Sequence, residues 1–258
     1  MALNFTEIAQ YRLVCPPLGV TINCQLVTPL ARLVKVMLCG WKLEKGSFEI
    51  ADIKVSHDPI YQVTAVEIGF HAQHGDLISA FNELLICIAY LTCKKATGLR
   101  LLHGGAMIRE GKFIAVLGGH KAGKSSYFAR ECHSNNILIS DDLLLINKKR
   151  QLIGLGFCLR LRRPIAEDII ELYGANHILA GHSLAYLGPK AISLYPAGLA
   201  FKPERLYLLE NYQAQRKMRF KWRGLVEKRV IPITERVCSS QENLAPHIKF
   251  KLHEYNPF

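Results

Sequence analysis

The chain has 258 residues, half of them hydrophobic, and a formal net charge of +12. This length suffices for one large core or two modest ones, and the composition excludes a low-complexity or disordered chain. The first twenty residues do not read as a signal peptide, and the longest apolar stretch, residues 84–93, is far below the roughly 20 residues of a membrane span, so a soluble cytoplasmic protein with no membrane span is expected.

Residues 1–75 show short apolar stretches broken by Pro, Gly, Asn and Asp, a pattern that predicts strands and turns. The run from Leu30 to Leu38 is ambiguous between strand and helix. From Asp76 to Thr97, apolar residues recur at helical spacing, with Gly98 as a stop. Residues 1–97 are therefore expected to form a β-rich region that ends in a helix. Next come two apolar runs around Arg109-Glu110-Gly111, which predict an antiparallel hairpin. A helix is expected from Lys124, then a strand over residues 136–147 with Asp141-Asp142 at its centre. Residues 165–175 read as a helix that stops at Gly174. Residues 205–211, 217–222 and 226–234 read as strands, and there are no internal repeats.

The second expected strand of the hairpin runs into Gly118-x-x-x-x-Gly123-Lys124-Ser125, the spacing of a phosphate-binding loop in its required context of strand before and helix after. Gly118, Gly119, His120, Lys121, Ala122 and Gly123 would aim backbone N–H groups at phosphate oxygens, and the helix start adds its dipole. Lys124 reaches the β and γ phosphates, the Ser125 hydroxyl suits Mg²⁺, and Ser126 completes the segment. Lys121 either adds charge near the phosphates or points to solvent, and solvent is the simpler expectation.

Paired carboxylates inside an apolar strand make little sense as sheet packing. A buried carboxylate requires a cation or strong hydrogen bonds. One Asp would support a metal, and the other would accept a proton from an attacking hydroxyl. Ser125 and Asp142 are the metal-side candidates, although either Asp can serve as the base. His103, at the end of an apolar run, is expected on the strand paired with the one entering the loop. Arg160, Arg162 and Arg163 form a basic run in which Arg160 and Arg162 would share a strand face. They either contact phosphate or substrate, or form an exposed basic edge.

The order "LLHGGAMI…FIAVLGGHKAGKSS…ILISDDLLLI" resembles the catalytic domain of the HPr kinase/phosphorylase family. The resemblance covers about residues 98–165, with fifteen residues from His103 to Gly118 and seventeen from Lys124 to Asp141. It implies an α/β fold with a phosphoenolpyruvate carboxykinase-like P-loop core spanning residues 98–258. It also implies ATP and Mg²⁺ as cofactors, Asp141 and Asp142 as base and metal support, and His103 as an auxiliary residue. The acceptor would be a hydroxyl of a peptide, a protein or a small molecule, and relatives assemble as homo-oligomers. No segment matches the later glutamate-bearing stretch of the bifunctional enzymes, which argues against phosphorylase activity and against HPr as substrate. The alternative is a non-catalytic nucleotide sensor or scaffold.

Other signals are weaker. The basic charge, clustered at 148–150, 160–163 and 216–223, favours anionic partners, but no nucleic-acid-binding motif accompanies it. Eight cysteines without C-x-x-C spacing read as buried thiols. His71-x-x-His74 with Asp76 reads as the polar start of a helix rather than a metal site.

Overall fold

The computed structural model describes residues 7–118, 122–211, 230–231 and 250–255. The protein is mixed α/β, with four α-helices and several sheets among the described residues. The N-terminal part contains β1 (Ile8–Cys15), β2 (Val20–Val27), α1 (Thr28–Met37), β3 (Lys42–Lys45), β4 (Ile53–His57), β5 (Tyr61–Ala65), β6 (Phe70–His74) and α2 (Leu77–Lys95). Its strands form one sheet in the order β3-β1-β2-β4-β5-β6, antiparallel except for the β2–β4 pair. The ambiguous run after Leu30 is helical: Pro29 sits in the first turn, and Leu30, Val34 and Met37 bury one stripe. Burial alternates along β2, β4 and β5, so one face of the sheet is apolar and packs on the helices.

Helix α2 is the central element. Asp76 caps it by accepting from the N–H groups of Ile78 and Ser79, each at 3.0 Å. By length and composition it could cross a membrane, but it is mostly buried inside the protein. A helix apolar all round belongs in a large core, and both its sides are covered here. The cluster that contains Phe81, Leu84 and Ile88 also takes in Leu101, Leu145, Phe157 and Tyr186, so one core runs through position 97. The Trp41 indole N–H donates to the Leu155 carbonyl at 2.7 Å, and Cys39 N–H to the Gly156 carbonyl at 2.8 Å.

Beyond α2 come β7 (Arg100–His103), β8 (Gly105–Arg109), β9 (Lys112–Gly118), α3 (Lys124–His133), β10 (Ile137–Ser140), β11 (Leu143–Ile146), β12 (Leu152–Gly154) and β13 (Leu159–Arg162). They are followed by α4 (Glu167–Tyr173), β14 (Ile178–Ala180), β15 (Leu184–Leu187), β16 (Ser193–Leu194), β17 (Ala200–Phe201), β18 (Arg205–Asn211), β19 (Val230–Ile231) and β20 (Phe250–Tyr255). Three sheets result: β16-β10-β8-β9-β18-β20, β17-β12-β11-β7-β19 and β13-β15-β14. Leu102, Ala106, Leu117, Ile139 and Leu144 belong to one apolar cluster built from strands of the first two.

The expected hairpin is present as β8 and β9, joined through Glu110 and Gly111, both at positive φ. Its first strand is shorter than expected, because the run from Arg100 to Arg109 breaks at Gly104 into β7 and β8, in different sheets. The run from Ile137 to Ile146 breaks likewise at Asp141-Asp142, into β10 and β11. The breaks lie side by side: β8 pairs with β10, β7 pairs with β11, and Gly104 N–H donates to the Asp142 carbonyl at 2.9 Å. One long antiparallel pair is thus kinked midway, and the two aspartates occupy the seam. A Cβ at Gly105 would run into the Phe128 ring and the Ser140 carbonyl, so only glycine allows this approach. Residues 217–222 lie outside the described residues, and of 226–234 only Val230–Ile231 is described, as a strand.

Candidate functional site

Strand β9 ends at Gly118, and α3 begins after Gly123, whose φ of 84° suits glycine. Gly119, His120 and Lys121 lie outside the described residues. Ala122 is buried, and Ser126, at the start of α3, offers its carbonyl to the Arg130 guanidinium at 3.3 Å. Lys124 is only 6% exposed, and its Nζ donates to the Gly118 carbonyl at 3.2 Å. It also meets His103 Nε2 at 3.0 Å. An ammonium has only donors, so His103 Nε2 accepts and the ring proton sits on Nδ1. That nitrogen faces Asp142 Oδ1 at 3.3 Å.

The expectation that His103 lies on the strand paired with β9 is not met. It ends β7, which pairs with β11 and β19, because the chain changes sheets at Gly104. The seam still delivers its ring to Lys124, but by the kink rather than by hairpin register.

The two aspartates have different partners. Ser125 Oγ donates to Asp141 Oδ2 at 2.9 Å, and the same oxygen accepts from the Arg160 backbone N–H at 3.1 Å. The expected metal-side pairing of Ser125 with Asp142 is therefore not the one the side chains make. Asp142 instead meets the Arg160 guanidinium, Nη2 to Oδ2, at 2.6 Å. Asp141 is 4% exposed, and burial together with the neighbouring Asp142 carboxylate raises its pKa to about 6. Burial alone would also raise Asp142, but Arg160, His103 and Lys124 outweigh it and hold that carboxyl below its ordinary value.

Of the three arginines, Arg160 and Arg162 share a face of β13, opposite buried Leu159 and Leu161. Arg160 is drawn in: burial would lower its pKa, but Asp142, Tyr186 and Asp141 raise it. Arg162 reaches further toward solvent, and its partial burial and the Arg160 charge lower its pKa. Arg163 turns away and donates to the Gly181 carbonyl at 2.8 Å. Lys148, Lys149 and Arg150 form an exposed turn between β11 and β12.

The sequence reading missed Asn82, Glu83 and Tyr186. Asn82 Oδ1 accepts from Arg160 Nη1 and from the Tyr186 hydroxyl, each at 3.0 Å. The available signal was a polar Asn-Glu pair inside a helix that is otherwise apolar all round. His71 and His74 stand on strand β6 three residues apart, hence on opposite faces, and Asp76 is the α2 cap. Among the described residues no group of three or more His, Cys, Asp and Glu is arranged to hold a metal ion. Ser125 and Asp141 do supply adjoining hard oxygens, the donor type Mg²⁺ takes when phosphates and water complete its shell. No protein-family model matches the chain, and no curated protein sequence matches it significantly.

Proposed function

We propose that the chain is an ATP-dependent kinase, of the HPr kinase-like type, that transfers the γ-phosphoryl group to a hydroxyl of a peptide, protein or small molecule. The observation that carries this reading is one connected chain of side chains. It runs from Lys124 through His103 to Asp142, beside the Ser125–Asp141 pair at the start of α3. On this reading residues 98–258 have a phosphoenolpyruvate carboxykinase-like P-loop core, and a cytoplasmic setting supplies ATP.

Lys124 exchanges the Gly118 carbonyl for β and γ phosphate oxygens, while N–H groups at the start of α3 hold the same anion. Ser125 and Asp141 would hold Mg²⁺, which neutralises phosphate charge when bound. Asp142, the less buried carboxylate, faces the acceptor. The acceptor oxygen bonds to the γ-phosphorus, the bond to the ADP oxygen breaks, and the hydroxyl proton passes to Asp142. In a loose transition state that proton becomes acidic late, so a carboxylate with a low pKa suffices. His103 Nδ1–H orients Asp142, and positioning with charge neutralisation supplies the rate enhancement.

The test uses γ-labelled ATP, Mg²⁺ and a serine-bearing peptide library, with Lys124→Ala and Asp142→Asn beside the wild type. Label on an acceptor that depends on both residues supports the kinase. A second reading, a nucleotide sensor without transfer, is favoured by the 2.6 Å ion pair that already engages Asp142. Nucleotide binding that depends on Lys124, with no label moved to peptide, small-molecule hydroxyl or water, would establish it instead.

A further inference from the structure

Arg160 touches both aspartates from one residue. Its backbone N–H donates to Asp141, and its Nη2 to Asp142. Its other terminal nitrogen, Nη1, is held by Asn82 Oδ1 on α2 at 3.0 Å. A planar guanidinium gripped at both ends has a fixed orientation, which a single ion pair would not impose.

Asn82 is 7% exposed on a helix that is otherwise core, where an amide is tolerated only when hydrogen-bonded. Its oxygen takes two donors, Arg160 Nη1 and the hydroxyl of Tyr186. Tyr186 is 1% exposed and packs edge-on against Phe81 of the same helix, with ring centroids 5.3 Å apart. The Asn82 amide N–H₂ donates to Glu83 Oε1 at 3.4 Å. The cavity that Asn82, Asp142, Arg160 and Tyr186 help to line measures about 30 Å³. That is room for one water, too little to let the guanidinium swing to another partner.

We propose that Asn82 is a positioning residue: it fixes the Arg160 guanidinium, and through it the Asp142 carboxylate, so that the N-terminal region forms part of the phosphate-transfer site. The proposal rests on the kinase reading for its catalytic consequence, but its geometry does not. Asn82→Leu keeps the side-chain size and removes the acceptor. In the wild type the Arg160 Nη1 and Nη2 groups should give separate NMR resonances, because each is held by a different residue; in Asn82→Leu they should merge by rotation.

In the same variant, kcat for transfer, or for ATP hydrolysis with water as acceptor, is expected to fall roughly 10–100-fold. The Kd for Mg²⁺-ATP should change less than about threefold, the scale expected where the binding residues are untouched. Added to Arg160→Lys, the substitution should cost nothing further, since it acts through Arg160. If Asn82→Leu does not fold, Asn82→Ser, which removes bulk and keeps a partner for Tyr186, serves the same measurements. Nη resonances that stay separate in the Asn82 variants, an unchanged kcat, or a double variant whose loss is the product of the single losses would overturn the proposal. If the wild type binds ATP but moves no phosphate, the kinase reading fails by itself, and the guanidinium resonances still decide whether Asn82 holds Arg160.

Discussion

Helices α2 and α3 begin in opposite ways. Both present the unpaired N–H groups that every helix start leaves over. On α2 the chain supplies its own anion: the Asp76 carboxylate takes two backbone N–H groups and the Ser79 hydroxyl. On α3 the cap position is Gly123, which has no side chain to offer, and the first residue is a buried lysine. One start is closed by its own sequence, whereas the other gathers positive potential next to two carboxylates. A helix start built for architecture and one suited to a ligand differ in who provides the negative charge.

Five substitutions probe that contrast. The largest effects belong to α3 and the seam: Asp142→Asn is expected to lower phosphate transfer roughly 10²–10⁴-fold with nucleotide affinity little changed. Lys124→Ala should weaken Mg²⁺-ATP binding itself, and titration calorimetry separates the two. A nucleotide affinity unaffected by Lys124→Ala would break the comparison, because α3 would then have no ligand of that kind.

Next comes Gly105→Ala, whose methyl group would meet the Phe128 ring on α3. About 1–3 kcal/mol of stability should be lost in denaturant unfolding, as in other overpacked cores. Transfer should suffer with it, since the seam sets the aspartates.

Asp76→Ala should cost about 1 kcal/mol at pH 7, as for other lost caps, and leave nucleotide binding intact. Burial would raise the Asp76 pKa, but its bonds to Ser79 and Ile78 outweigh that and lower it. A carboxylate with a depressed folded pKa stabilises above its unfolded value, about 3.9, and loses that contribution as pH falls through the folded one. The difference between wild type and Asp76→Ala should therefore shrink below about pH 4 in thermal unfolding at a series of pH values.

The smallest effect is expected at Glu83, whose pKa is raised chiefly by burial, against the opposing influence of the neighbouring His74, Asn82 and Arg160 side chains. Its ionised form costs stability as pH rises from the unfolded value, about 4.3, through the raised folded value. Glu83→Gln should therefore raise Tm at pH 7 by roughly 1–2 °C, a few tenths of a kcal/mol, and show no gain below about pH 4.

The readable parts were local. The Asp76 cap, the hairpin through Gly111, the helix from Lys124 and the stop of α4 at Gly174 each depend on residues a few positions apart. The run around Leu30 was ambiguous because its apolar pattern fits both periods until Pro29 and the sheet beneath it decide. The sequence places His103 on the strand paired with the one entering the loop, because the change of sheet at Gly104 leaves no periodic mark. The arginine run alone leaves Arg160 either phosphate-facing or on an exposed edge, whereas Asp142 and Asn82 hold it inside.

The chain order alone determined that a glycine-rich turn, a lysine and a carboxylate pair would occur in strand–helix–strand context, since turn chemistry and hydrophobic period act over short distances. Only the tertiary structure decided which carboxylate meets Ser125 and which meets Arg160, and that a buried asparagine on a distant helix grips that arginine. Those partnerships depend on where three sheets and α2 converge, and desolvation there makes each charge choose a partner that no local pattern encodes.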